Sequence, residues 1–119
     1  MTQAKPERRP GVMIAMFDIP ESLDEEFNSW YDEEHIPEKV GNVPGFLRAR
    51  RYRSLEGRPN YLCIYELEDL SVLDNPTYTG NYSSGTSNTV RMKSKATTFY
   101  RNVYYEIADV EGIPLDGEV

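Results

Sequence analysis

Trp30-Tyr31-Asp32-Glu33-Glu34-His35-Ile36-Pro37, followed by Val43-Pro44-Gly45-Phe46, is the stretch that decides how this chain reads. It puts the only tryptophan and the only histidine five residues apart, at the end of a patterned helix. Upstream, Leu23, Phe27, Trp30, Tyr31 and Glu34 recur at the spacing of one helical face. His35 follows Tyr31 by four residues and Phe27 by eight, so it falls on or beside that face. Asp24, Glu25, Asp32 and Glu33 fall on the wet side. Ser22-Leu23-Asp24-Glu25 fits a capping box, and the acidic first turn suits the helix dipole. Pro37 is expected to end the helix, because the residue before a proline is pushed away from helical dihedrals. The Pro-Gly turn then leads into a strand.

The flanking segments read as strands. Gly11–Asp18 is a continuous apolar run, which suggests a strand covered on both faces. Residues 46–54 alternate in part, with Phe46, Arg48, Arg50 and Tyr52 on one face and Leu47, Ala49, Arg51 and Arg53 on the other. That strand is edge-like, its arginines discouraging unwanted pairing. Glu56-Gly57-Arg58-Pro59 makes a turn, and Tyr61–Leu67 is again apolar on both faces. Asp69 caps a short helix that ends near Asn75-Pro76. Residues 79–90 are the most loop-like part, a candidate lid, with a weak helical signal over 89–95. Residues 98–107 form a last strand, in which Phe99, Arg101, Val103, Tyr105 and Ile107 alternate with Tyr100, Asn102, Tyr104 and Glu106.

Length and composition bound the rest. At 119 residues the chain supports one domain, 11–107, between a disordered arm, 1–10, and a loose tail, 108–119. No apolar run approaches the roughly 20 residues that span a bilayer, and the polar, basic start is not a secretory signal. A single cysteine, Cys63, excludes an internal disulfide framework and suits a reducing cytoplasm. It lies in an apolar strand and reads as an inert core thiol. A net charge of -7 argues against nucleic-acid binding, which needs a basic face. One histidine and one cysteine cannot furnish a usual zinc set, so no metal site is expected; no cofactor is expected either, haem with His35 as its proximal ligand being the minor alternative.

The order β, α, β, β, α, β is that of a ferredoxin-like α+β fold: a four-stranded antiparallel sheet with two helices on one face. Strands 11–18 and 61–67 are apolar on both sides, so their second face calls for a cover this chain lacks. A second copy, sheet against sheet, supplies it and makes a homodimer. On this order, and on Trp30-Tyr31-x-x-x-His35-x-Pro37, Val43-Pro44-Gly45-Phe46, Ala49-Arg50-Arg51-Tyr52 and Tyr61-Leu62-x-x-Tyr65-Glu66-Leu67, residues 11–107 resemble the dimeric α+β barrel superfamily. Within it they most resemble the EthD-like and related uncharacterised bacterial proteins. The resemblance implies a pocket in each subunit between helices and sheet, with a histidine near it. His35 is the residue it carries over first.

The candidate chemistry follows from residue types. A histidine takes and returns a proton near neutral pH, so His35 is the candidate catalytic acid and base. Tyr31, Tyr65 and Tyr100 are candidates to orient a phenolate or enolate, Arg50 to hold its oxyanion, and Phe27 to line the apolar wall. His35 could instead cap the helix C-terminus, where positive charge is favoured. The leading expectation is a cytoplasmic, cofactor-free enzyme that binds an apolar, aromatic or polyketide-like ligand and moves protons, as a cyclase, isomerase or lyase does. A non-catalytic ligand-binding or accessory protein, and a cofactor-free monooxygenase of the same fold, are the competing expectations.

Overall fold

The two strands that are apolar on both faces take the two central positions of the sheet. A computed structural model describes residues 8–79 and 91–116. In it β1 (Gly11–Asp18) lies between β3 (Tyr61–Leu67) and β4 (Thr98–Tyr105), and β2 (Phe46–Arg53) closes the far edge beyond β3. Every pairing is antiparallel. Met13, Ala15 and Phe17 of β1 and Cys63, Tyr65 and Leu67 of β3 face the helical layer and form the core with Phe27, Trp30 and Tyr31. The arginine-rich strand lies at an edge, as its composition requires.

The helix after β1 runs further than Pro37 suggests. A 3-10 turn (Glu21–Leu23) leads into α1 (Asp24–Trp30), a single π turn (Tyr31–His35) follows, and α2 (Ile36–Val40) completes it. In the π turn the Ile36 N–H bonds the Tyr31 carbonyl five residues back. Pro37 thereby sits in the first turn of α2, where a missing N–H costs little. The chain leaves helix only at Gly41, whose N–H bonds the Pro37 carbonyl at 3.0 Å. The expected capping box does not form either. Pro20 starts the 3-10 turn one step early, its carbonyl accepting from Leu23 N at 2.9 Å, so Ser22 lies inside the turn and no side chain caps it.

A bulge after Phe46 corrects the facing of β2. Phe46 pairs with Leu67, but Arg48, not Leu47, pairs with Glu66. Phe46 therefore joins Ala49, Arg51 and Arg53 on the helix side, and Arg48, Arg50 and Tyr52 face the other way. Ahead of the bulge, Gly45 has φ +95°, and a Cβ there would meet Val72 Cγ2 at 2.2 Å, so only glycine fits. Asp69 caps the next turn, accepting from Ser71 N at 2.9 Å, and the turn is a 3-10 helix (Leu70–Asp74). Helical turns follow at 76–79 and 91–93. The loop expected over 79–90 lies, from residue 80 on, outside the described residues.

The second face of the sheet carries Val12, Ile14 and Met16 of β1 and Leu62 and Ile64 of β3, all half-buried, beside exposed Tyr52, Tyr100 and Tyr104. This is the apolar face for which the sequence calls for a cover. Of the expected arm, residues 1–7 lie outside the described residues. Arg9 packs over the Tyr105 ring, and the Pro10 carbonyl accepts from Glu106 N at 2.7 Å. From residue 106 to 116 the tail is exposed, including Ile107, Val110, Ile113 and Leu115. Among the described residues no helix is long and apolar enough to cross a membrane.

Candidate functional site

Between the helical layer and the sheet lies a cavity of about 260 Å³. Its apolar wall is aromatic: Phe27, Trp30 and Tyr31 from the helix side, Phe17 from β1, Tyr65 from β3 and Phe99 from β4. Its polar wall is cationic: His35 at the end of the π turn, Lys39 in α2, Lys93, and Arg101 of β4. No carboxylate is among the described lining residues.

The π turn brings these groups into register. In an α-helix, residues five apart diverge by about 140° around the axis, since a turn takes 3.6 residues. A π turn bonds i to i+5 and brings such residues over one another. Trp30 and His35 accordingly stack, with ring centroids 4.7 Å apart and planes 25° from parallel. Tyr31 meets the same imidazole edge-on at 4.9 Å. Lys39, one helical turn beyond His35, then falls on the same side and is buried, only 4% exposed.

His35 is buried and makes no hydrogen bond with any described residue; Glu38 Oε2 stands 4.0 Å from Nδ1, too far for one. Burial, and then the nearby Lys39 and Lys93 ammonium groups, push its pKa down to about 3. The ring is thus neutral at any ordinary pH. A C-terminal cap it is not, since the helix runs on to Val40. Lys39 feels the same environment: burial, then Lys93, lower its pKa to about 8, with Glu38 opposing and Arg101 adding to the fall. Burial also lowers Lys93.

On the opposite wall burial holds the Tyr31 and Tyr65 phenols well above the ordinary range, so both stay protonated donors. The Tyr65 hydroxyl donates to the Tyr31 oxygen at 3.3 Å. Cys63 lies beneath them, fully buried, its thiol pushed up by burial. Arg51 braces the outside: its guanidinium lies 4.5 Å from the Tyr31 ring centroid and donates to Asp32 at 2.9 Å and Asn28 at 2.6 Å. Arg101 donates to the Tyr78 hydroxyl at 2.8 Å.

Of the residues singled out in the sequence, His35, Tyr31, Tyr65 and Phe27 meet at this cavity. Arg50 and Tyr100 do not. Arg50 lies on the second sheet face, 3.5 Å from Glu66, and Tyr100 pairs with Met16 on that same face. Their neighbours Arg51 and Arg101 point toward the helices instead. Sequence reasoning missed Lys39, Lys93, Arg101 and Tyr78. Arg101 could have been found, since it alternates with Phe99 and Val103 on the apolar side of β4. Lys39 was hidden by ending the helix at Pro37.

No family model matches the chain, and no curated protein does. Solved structures do. A dimeric ferredoxin-like protein from an uncultured marine organism superposes with a TM-score of 0.68 at 12% identity, over 91% of this chain and 96% of its own. The chain has the ferredoxin-like fold of these proteins. The cofactor-independent oxygenase SnoaB from Streptomyces nogalater matches with a TM-score of 0.62 at 14% identity, over 87% of this chain and 99% of SnoaB. An EthD-family protein from Bacillus halodurans matches with a TM-score of 0.57 at 18% identity, over 82% and 99%. At these identities the likeness is one of fold.

The burial of His35 has a measurable consequence. The unfolded chain binds a proton near pH 6.5, the folded one only near pH 3, so protonation favours unfolding. The contribution of His35 to stability is complete above pH 6.5 and is lost as pH falls from 6.5 toward 3. As the only histidine, it gives one imidazole Hε1 resonance in NMR. That resonance should hold its neutral position from pH 8 to pH 5; a midpoint near 6.5 would show an exposed ring.

Proposed function

We propose that the cavity binds an apolar, aromatic or polyketide-like molecule and that His35 moves a proton to and from it without a cofactor. The observation that carries this reading is a buried neutral imidazole, stacked on Trp30 and unbonded within the described fold, at the wall of an aromatic cavity. A neutral imidazole accepts a proton from an acidic C–H or O–H of the ligand. Alone it is a poor base here, because burial, and then Lys39 and Lys93, oppose its charging. The same cations stabilise the enolate or phenolate left behind, and that anion in turn offsets the imidazolium. Base and field thus act together only when the ligand ionises in place, which is stabilisation specific to the transition state. Tyr31 and Tyr65, kept protonated, supply neutral donors to a second oxygen. Arg50 and Tyr100, on the other face, take no part within the subunit that holds the cavity.

Returning the proton at another carbon or closing a ring gives isomerase or cyclase chemistry. An electron-rich carbanion or phenolate is also what dioxygen attacks without a cofactor, and the fold shared with SnoaB favours that as a second reading. Turnover of phenolic and β-dicarbonyl substrates by wild type and His35→Gln tests both, with oxygen uptake recorded in the same assay. The variant should lose on the order of a hundredfold or more in rate. Equal rates would remove His35 from the chemistry, and oxygen consumed in step with substrate would choose the oxygenase reading.

We further read the protein as a cytoplasmic homodimer, closed through the second sheet face. Its half-buried Val12, Ile14, Met16, Leu62 and Ile64, ringed by tyrosines, form a surface suited to a second copy. Sedimentation equilibrium should give the mass of two chains, and Ile64→Asp the mass of one. A wild-type monomer would contradict the assembly.

A further inference from the structure

The chain carries a net charge of -7, yet the wall of its cavity gathers Lys39, Lys93 and Arg101 and no described carboxylate. Lys39 is the telling member. Its side chain is buried, lines the cavity, and makes no hydrogen bond or ion pair with any described residue. Burial and then Lys93 oppose its charged form and chiefly Glu38 favours it, and lysines are rarely buried unless paired. Glu38, on the next helical position, faces both Lys39 and Lys93 but is itself part-exposed and shared between them. Opposite the cations the wall is aromatic, which suits a flat apolar body. The two walls together describe one molecule: a planar ring system with an anionic oxygen at one end.

We propose that the ligand of this cavity is an aromatic organic anion, a carboxylate or enolate, whose charged oxygen seats against the Lys39 ammonium. The ring body lies against Trp30, Tyr31 and Phe27, and Lys93 and Arg101 deepen the positive field at the charged end. This rests on reading the cavity as a ligand site and adds the charge of the ligand and the residue that recognises it. Lys39 is then a binding residue, set on the cavity side by the π turn and by the helix continuing past Pro37. A charge-assisted contact shielded from water is short and strong, and a neutral amide of the same shape cannot reproduce it.

Isothermal calorimetry with 2-naphthoate and its neutral isostere 2-naphthamide tests the proposal. Wild type should bind the naphthoate about tenfold or more tightly than the amide. Lys39→Met should bring the two to within about threefold by weakening the naphthoate alone, and Lys39→Arg should keep the preference. Equal affinity of the wild type for both probes would overturn the anionic ligand and leave the cavity as a neutral apolar site. A preference that survives Lys39→Met would overturn the role of Lys39. Failure of the wild type to bind either would remove the cavity reading, and this inference with it.

Discussion

Desolvating cations is the constraint on which the rest of the site depends. His35 and Lys39 sit one helical turn apart in the cavity wall, and each is driven toward its neutral form by burial and then by nearby cations, Lys39 and Lys93 for the histidine and chiefly Lys93 for the lysine. For the histidine this fixes a neutral ring over the whole physiological range. For the lysine it leaves a group that is charged at neutral pH but held there at a cost. A fold selected for stability alone gains from an apolar residue at that position. An anion entering the cavity relieves the strain on both groups at once, so affinity and proton transfer draw on the same stored electrostatic energy.

The backbone device behind this is the π turn. It converts a five-residue separation, Trp30 to His35, into a stacked pair, and it places Pro37 in the first turn of α2. The continuation to Val40 then carries Lys39 to the cavity. On the sheet side, the alternation of β1, β3 and β4 decides which side chains look inward. One residue of shift separates Arg101, in the cavity wall, from Tyr100, on the far face. The bulge after Phe46 does the same for β2, bringing Arg51 against Tyr31 and turning Arg50 away.

Much of this was legible in the sequence. Strand order and the two central strands follow from the doubly apolar runs at 11–18 and 61–67, and the edge position of β2 from its arginines. Strict alternation in β4 placed Tyr100 and Arg101 on opposite faces. What was not legible came from departures from ideal geometry. A π turn adds no residue type that marks it, so Pro37 read as a stop. A bulge shifts facing by one residue without any Gly or Pro signal at Leu47. The cationic wall is assembled from three distant segments, at Lys39, Lys93 and Arg101, and no spacing rule connects them. Of the six singled-out positions, Phe27 and Tyr65 were found on regular helix and strand faces, and Tyr31 and His35 because the π turn that holds them keeps both on the buried side.

The Lys39 ammonium is only partly compensated in the ligand-free fold, chiefly by Glu38 against burial and two neighbouring cations. Urea unfolding of wild type and Lys39→Met at pH 7, at one protein concentration, tests it most directly. The methionine keeps the length of the side chain and removes only the buried charge. The variant is expected to be more stable by about 1–3 kcal/mol. An unchanged or lower unfolding free energy would contradict the claim, because it would mean that the fold already satisfies that charge by itself.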